Sequence, residues 1–285
     1  MFLLKVTNNV ARNSTSLRLM SSAQVKSLVE LTVDNEGIAT VQLQRAPVNS
    51  LNKDVLDALH NSISEAEKNK CKGLILTSGS PAIFSAGIDL MEFHKPELKR
   101  LEQFKESILN VVLKLFSTKM VTAAAINGYT GAGACVLALA CEYRSMTTGN
   151  ATIGYNDTAI GILPPKWISD LMTRSMGARN AEYALTSSYM FPAERALQAG
   201  LIDEVAADKA DAVQKCKNFI KMYDNISPAA RAGTKLSLRQ EYITDFQNNR
   251  KQTTQDFLDM ITNPALQGAI DQYVNSMRQR KAVKN

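Results

Sequence analysis

The sequence has few of the residues from which many kinds of active site are built. Its two histidines, His60 and His94, lie in polar stretches without a partnered serine or cysteine, which argues against a nucleophilic triad. Its four cysteines form no CxxC pair and have no histidine nearby, so neither a zinc site nor a disulfide framework is indicated. We expect reduced, buried thiols.

Long apolar runs are also missing. A helix that crosses a bilayer needs about 20 consecutive apolar residues, and the nearest run, ACVLALAC at 134–141, is far too short. We predict a buried helix there and no membrane span. At 285 residues, with 45% hydrophobic and 21% charged content, the chain is long enough for one large core or for a core plus a smaller appendage.

The net charge of +6 belongs to the two ends of the chain. The first 22 residues carry three basic residues and no acid, and the tail RQRKAVKN carries four more. Without these seven charges the body is near −1. A basic face for nucleic acid would need the charge spread over the body, so we expect no nucleic-acid partner.

The N-terminal segment has the composition of a targeting sequence. It is rich in Arg, Ser and Asn, and its first acid is Glu30. This composition is typical of a mitochondrial transit peptide, and no continuous apolar segment favours a secretory signal. We predict a transit peptide over 1–22 and a location in the mitochondrial matrix; a disordered tail is the alternative.

Strands and helices alternate through most of the chain. LVELTVDNEGIATVQLQR predicts a hairpin, Asn52 is a candidate N-cap for the next helix, and CKGLILTSG and MVTAAAING predict buried strands. Helices are expected over about 98–116 and 133–143. The alternation predicts an α/β layer fold, with a core over 25–205 and a strand-free helical region over 206–285.

Two glycine-containing turns follow predicted strands. FSAGIDL (84–90) follows GLILTSG, and INGYTGAGACVLALACEYR (126–144) leads into an apolar helix. A helix start has N–H groups without intrahelical partners. The second stretch matches neither GxGxxG nor a Walker A motif. Together the two turns predict a site for an oxyanion, whereas Glu142 and Arg144 are expected to form a structural ion pair.

These stretches, with IGYNDTAIGI and MFPAERALQAGLIDEV, occur in the order and spacing of the crotonase (enoyl-CoA hydratase/isomerase) superfamily, which the chain resembles from Val25 onward. NDTAIGILPPKW is most similar to the mitochondrial short-chain Δ3,Δ2-enoyl-CoA isomerases of that family. The resemblance implies a ββα superhelix with C-terminal helices that assemble a trimer or a dimer of trimers. It implies an acyl-CoA substrate and no cofactor beyond the CoA of that substrate.

The resemblance also implies roles for individual residues. The backbone N–H groups of Ala86 and Gly133 are expected to hold the thioester oxygen, and Asp157 is expected to be the catalytic base. Substrate contacts are expected from the two turns and from the residue before the base: Ala86, Gly87, Ile88, Asp89, Leu90, Gly133 and Asn156. Trp167 is expected at the pocket floor. Asp89 is also a candidate N-cap.

One position separates isomerisation from hydration. Hydratases of the family use two glutamates, and the first of them falls on Val136 here, which cannot activate water. A single carboxylate suits a proton shuttle from C2 to C4 of a 3-enoyl-CoA, which gives the 2-trans product. The family isomerases have Glu at the position of Asp157, whose side chain is shorter by about 1.5 Å. The expected function is therefore enoyl-CoA isomerisation.

Alternatives remain open. A weak or inactive acyl-CoA-binding crotonase is favoured by the shorter Asp157, because a misplacement near 1 Å can cost about 10²-fold in rate. Enoyl-CoA hydratase activity is a second alternative. RNA binding, which one branch of the superfamily shows, is a third, and the near-neutral body of the chain argues against it.

Overall fold

The computed structural model describes residues 27–284, without side chains at 277, 278 and 280–284. The predicted transit segment 1–22 lies outside the described residues. The strands are β1 (Val29–Val33), β2 (Ile38–Leu43), β3 (Gly73–Ser78), β4 (Ile83–Ser85), β5 (Val121–Ile126), β6 (Tyr129–Gly131), β7 (Tyr143–Thr147), β8 (Thr152–Gly154), β9 (Phe191–Pro192) and β10 (Glu204–Ala206). The helices are α1 (Lys53–Lys68), α2 (Leu98–Ser117), α3 (Gly133–Ala140), α4 (Lys166–Ser187), α5 (Ala193–Ala199), α6 (Lys209–Lys221), α7 (Pro228–Asn248), α8 (Arg250–Thr262) and α9 (Pro264–Lys284), with short 3₁₀ helices at Leu90–Glu92 and Asp157–Ile160.

Two sheets organise the fold. The six-stranded sheet has the order β1-β2-β3-β5-β7-β10, in which β1 and β2 form the predicted antiparallel hairpin and the other neighbours are parallel. The four-stranded sheet has the order β4-β6-β8-β9, and β4, β6 and β8 run parallel. The predicted α/β class is confirmed. Parallel strands require crossover connections, which explains the alternation in the sequence.

The larger sheet is covered on both faces. Every residue of β3 and β5 is buried, as predicted from their mostly apolar sequence. Helix α6 covers one face with Ala212, Cys216 and Ile220, and the main core lies on the other. All four cysteines are free and buried, as expected.

Helix boundaries follow local signals. Asn52 caps α1 as predicted, because its side chain accepts a hydrogen bond from the Val55 N–H at 3.1 Å. Helix α3 ends at Ala140, earlier than predicted, since β7 begins at Tyr143. In the described range 27–284, no helix combines the length and the apolar content needed to cross a membrane.

The ion pair predicted between Glu142 and Arg144 is wrong. Glu142 binds Lys235 at 2.8 Å and also pairs with Arg231, and both partners lie on α7. Arg144 instead pairs with Asp203 at 3.0 Å. Nearness in sequence suggested the pair, but each group meets an opposite charge from a distant segment. Through these two ion pairs, Glu142 links α7 to the part of the chain that contains the sheets.

Candidate active site

Three loops meet at one edge of the four-stranded sheet. The turn at 86–89 follows β4, the start of α3 follows β6, and the loop at 155–157 follows β8. Because these three strands are parallel neighbours, their carboxyl ends share one edge, where ligands of α/β sheets commonly bind. The sheet thus collects motifs that lie about 70 residues apart in the sequence.

The turn after β4 and the start of α3 approach each other so closely that a Cβ at their glycines would collide with the opposite loop. Gly87 has a φ of +88°, and a Cβ there would lie 2.5 Å from the Gly131 carbonyl oxygen. A Cβ on Gly133 would lie 2.8 Å from Cδ1 of Ile88. Glycine is therefore required at Gly87, where the clash is with backbone and φ is positive. At Gly133 a Cβ would displace the end of the Ile88 side chain, so the two loops lie side by side.

The backbone N–H of Ala86 is not available to a ligand. It donates to the Val48 carbonyl at 2.9 Å, so the prediction that Ala86 holds the thioester oxygen was wrong. The Gly87 N–H donates to Ser85 Oγ at 3.1 Å, and the Asp89 N–H donates to the Leu51 carbonyl at 3.1 Å. Sequence alone does not show which amide of a turn is bonded inside the fold.

Ile88 has the free amide of this turn. Ile88 pairs with Leu51 in an isolated parallel β-bridge, and the two hydrogen bonds of this bridge are made by its neighbours Gly87 and Asp89. The N–H of Ile88 itself has no acceptor among the residues that the structure describes. The Ile88 nitrogen lies 3.7 Å from the point where a side chain on Gly133 would begin. Gly133 is the first residue of α3, so its N–H has no intrahelical acceptor.

Asp157 begins the 3₁₀ helix that follows β8, and its side chain is half-buried. Burial raises the pKa of this carboxyl to about 6, and a hydrogen bond from the Tyr155 hydroxyl opposes that rise. The group is therefore mainly ionised at neutral pH yet basic enough to accept a proton. Such a pKa is typical of a general base.

Asp157, Gly133 and Ile88 line one small cavity of about 50 Å³, together with Val136. Most other lining residues are apolar, and Trp167 is among them, as expected for the pocket floor. Among the described residues that line this cavity, Asp157 provides the single carboxylate. The arrangement places one carboxylate and two free N–H donors around a small, mostly apolar cavity.

The other predicted residues lie around the cavity without lining it. Asp89 pairs with Arg45 at 2.7 Å and caps the 3₁₀ helix through the Met91 N–H, in agreement with its predicted capping role. The Asn156 amide donates to the Tyr129 hydroxyl at 3.2 Å. Leu90 begins the 3₁₀ helix and packs against the core.

Two polar residues of the cavity were not predicted from the sequence. Tyr155 lies two residues before Asp157, in the turn between β8 and the 3₁₀ helix, and nearness to Asp157 was its only signal in the sequence. Lys105 interrupts the apolar stripe of α2 that includes Leu101, Ile108 and Val112. A lysine at a core-facing position of a helical stripe was the available signal.

The chain matches the family model described as enoyl-CoA hydratase/isomerase over residues 33–281. It is 33% identical over 262 residues to enoyl-CoA delta isomerase 1, mitochondrial, of Mus musculus, covering 91% of this chain and 90% of that protein. A methylglutaconyl-CoA hydratase of Mus musculus is 28% identical over 229 residues, covering 77% and 73%.

Among solved structures, the crystal structure of human mitochondrial delta3-delta2-enoyl-CoA isomerase superposes with a TM-score of 0.86 at 31% identity, covering 90% of this chain and 100% of that one. An enoyl-CoA hydratase from Bacillus halodurans, at 24% identity and a TM-score of 0.77, shares the fold.

Proposed function

Because the chain belongs to the enoyl-CoA hydratase/isomerase family, we propose that it is an enoyl-CoA isomerase of the β-oxidation of unsaturated fatty acids. It converts 3-cis- and 3-trans-enoyl-CoA to the 2-trans isomer, and CoA enters only as part of the substrate. The observation that carries this proposal is the single carboxylate of raised pKa in one cavity with the Ile88 and Gly133 amides.

The proposed reaction moves one proton and no other atom. The Asp157 carboxylate takes a proton from C2, and the negative charge that develops spreads to the thioester oxygen. The Ile88 and Gly133 N–H groups donate to that oxygen; preorganised donors of this kind stabilise such charge by about 3 kcal/mol each. Asp157 then returns the proton to C4, which leaves the double bond between C2 and C3.

Hydration is disfavoured by the same cavity. Adding water across the double bond needs one group to activate the water and another to supply a proton. Val136 occupies the position where the family's hydratases have a glutamate, and it is buried and apolar. The protein is therefore expected to add water to 2-enoyl-CoA slowly at best.

The function is tested by incubating purified protein with 3-hexenoyl-CoA and following the ultraviolet absorbance of the conjugated product. Appearance of 2-trans-hexenoyl-CoA, with little 3-hydroxyacyl-CoA, supports the isomerase. An acyl-CoA-binding protein without turnover is the second candidate, since Asp157 is shorter than the glutamate of the family's isomerases. Binding without isomerisation of short, medium and long 3-enoyl chains would establish it.

We expect the rate of isomerisation to rise with pH through about 6 and then to level off. Protonated Asp157 cannot accept the C2 proton, and its pKa is raised to about 6 by burial. Below that pH, kcat/KM should fall about tenfold per pH unit, because the ionised fraction of a single base falls by that factor. Initial rates with 3-hexenoyl-CoA between pH 4.5 and 8.5 measure this. A flat profile across pH 6 would contradict Asp157 as the base.

The location follows as part of the same proposal. The relatives of Mus musculus and Homo sapiens are named as mitochondrial proteins, and the Arg- and Ser-rich segment 1–22 has the composition of a transit peptide. We expect the mature protein to lie in the mitochondrial matrix and to lack this segment. Mass spectrometry of protein isolated from mitochondria shows whether segment 1–22 has been removed. A protein that retains Met1 would contradict this prediction.

Assembly is also part of the proposal. The C-terminal helices α7 and α9 leave the apolar side chains of Leu238 and Tyr273 exposed, and apolar surface of this kind favours burial against other chains. We propose a homotrimer or a dimer of trimers. The same mass spectrometry, performed under native conditions, gives the number of subunits, and a monomer would contradict the proposal.

A further inference from the structure

Lys105 is a buried cation without a charged partner. Its residue is 2% exposed, and among the described residues its ammonium has no hydrogen-bond acceptor and no carboxylate in contact. Its Nζ lies 4.7 Å from the ring centroid of Phe257 and 5.4 Å from that of Trp167. Cation–π contacts of this kind compensate only part of the cost of burying a charge.

The other buried lysine of the described chain shows how such a charge is ordinarily satisfied. Lys235 is 7% exposed, and its ammonium binds Glu142 at 2.8 Å and the Met120 carbonyl at 3.0 Å. The Lys105 ammonium has neither a carboxylate nor a carbonyl partner of this kind among the described residues. Its neighbour Glu106 is engaged with Arg250. Burial accordingly lowers the pKa of Lys105 to about 7.

A second unused donor lies beside it. The indole N–H of Trp167 is buried and has no acceptor in the described part of the chain. Buried polar groups are almost always hydrogen-bonded, so two unsatisfied donors on neighbouring side chains indicate a missing acceptor. Both side chains line the cavity of Asp157, and both also line an adjoining cavity of about 360 Å³ between α4, α7 and α8.

Lys105 and Asp157 line the same cavity, and no ion pair or hydrogen bond joins them among the described residues. The pKa of Asp157 is set by burial and by Tyr155, and that of Lys105 by burial and by Glu106, so neither group perturbs the other. A cation in contact with the base would lower the pKa of the base. The remaining walls are mostly apolar, with Ile108, Leu137 and Ile162 among them, and suit the methylene part of an acyl chain.

We propose that Lys105 and Trp167 bind a carboxylate at the distal end of the acyl chain, so that the substrates include 3-enoyl-CoA thioesters of dicarboxylic acids. This inference rests on the proposed isomerase function, since the thioester end occupies the site of Asp157. A carboxylate supplies the acceptor that both donors lack, and a charge-assisted hydrogen bond in a dry site discriminates strongly between a carboxylate and a methyl group.

The test compares two substrates of equal chain length, 3-hexenoyl-CoA and 3-hexenedioyl-CoA, which differ only in a terminal methyl or carboxylate. Wild-type protein should show a kcat/KM for the dioyl substrate at least about tenfold higher. Lys105→Met replaces the ammonium with an apolar group of similar length, and it should lower the ratio of the two kcat/KM values by about 10²-fold or more. Trp167→Phe should lower the ratio less.

Lys99→Met is the matched control, because Lys99 lies on the same helix but is exposed and lines neither cavity. It should leave the ratio unchanged. If wild-type protein isomerises 3-hexenoyl-CoA and Lys105→Met leaves the ratio unchanged, the inference is overturned and the proposed function stands.

If wild-type protein isomerises neither substrate, the proposed function fails, and affinities decide the inference separately. Calorimetric titration with hexanoyl-CoA and with hexanedioyl-CoA then compares wild type with Lys105→Met. Selective loss of hexanedioyl-CoA affinity sustains the carboxylate site, and equal affinities in the two proteins overturn it.

Discussion

Replacing Asp157 with asparagine should lower the isomerisation of 3-hexenoyl-CoA by about 10²- to 10⁴-fold, the range for a positioned proton-transfer group. The amide keeps the size and polarity of the carboxylate but cannot take the C2 proton. In the cavity that Asp157 shares with Ile88 and Gly133, no other carboxylate among the described residues can replace it. Initial rates at saturating and at low substrate measure the loss.

Folding provides the control for this variant. The pKa of Asp157 is raised by burial above its ordinary value, so ionisation at neutral pH destabilises the folded state relative to the unfolded one. Asparagine removes that charge, and the thermal midpoint at pH 7 should be unchanged or higher. A variant that retains the wild-type rate would show that another group is the base.

The glutamate variant separates two explanations of the short side chain. If Asp157→Glu is faster than wild type, the aspartate falls short of the substrate; if it is slower, the loop after β8 has adapted to aspartate. Either outcome is read from kcat with 3-hexenoyl-CoA, since a misplacement near 1 Å can change the rate by about 10²-fold.

Gly133→Val should abolish measurable isomerisation, with a loss of at least about 10²-fold, the cost of removing a single oxyanion donor. A Cβ at this position would lie 2.8 Å from Cδ1 of Ile88 and 3.7 Å from the Ile88 nitrogen. The branched side chain would therefore occupy the space in front of both donors. The collision is with the flexible end of a side chain, so the fold should largely remain.

Gly233→Val is the matched control. Gly233 is an exposed helical glycine of α7, and a Cβ there would meet nothing within 4 Å. The same substitution at this position should leave the rate near that of wild type. Circular dichroism spectra of both variants test whether they are folded. Full activity in folded Gly133→Val would show that the thioester does not bind at this helix start.

The sequence determined those features that depend on neighbouring residues. Mostly apolar runs specify β3 and β5 because both faces of the larger sheet are covered. Asn52 specifies the start of α1 through a hydrogen bond three residues away. The order of motifs led to the family, and it selected Asp157 and Gly133, which the structure places in one cavity.

The tertiary structure decided what depends on distant partners. Ala86 and Ile88 lie in the same turn, and only the position of Val48 and Leu51 makes the first amide bonded and the second free. The residues of the turn do not encode that difference. Which amides of an extended segment are hydrogen-bonded depends on the register of the segment that pairs with it.

The pairing of charged side chains also depends on distant segments. Glu142 finds its partners on α7, about 90 residues away, and Lys105 finds none among the described residues although acids are close to it in sequence. Whether a lysine is solvated, paired or left to bind a ligand depends on what packing brings to its ammonium, and desolvation makes that difference large. The carboxylate that we propose as the base could therefore be selected from the sequence, whereas the site proposed for the far end of the substrate required the packing of α2, α4 and α8.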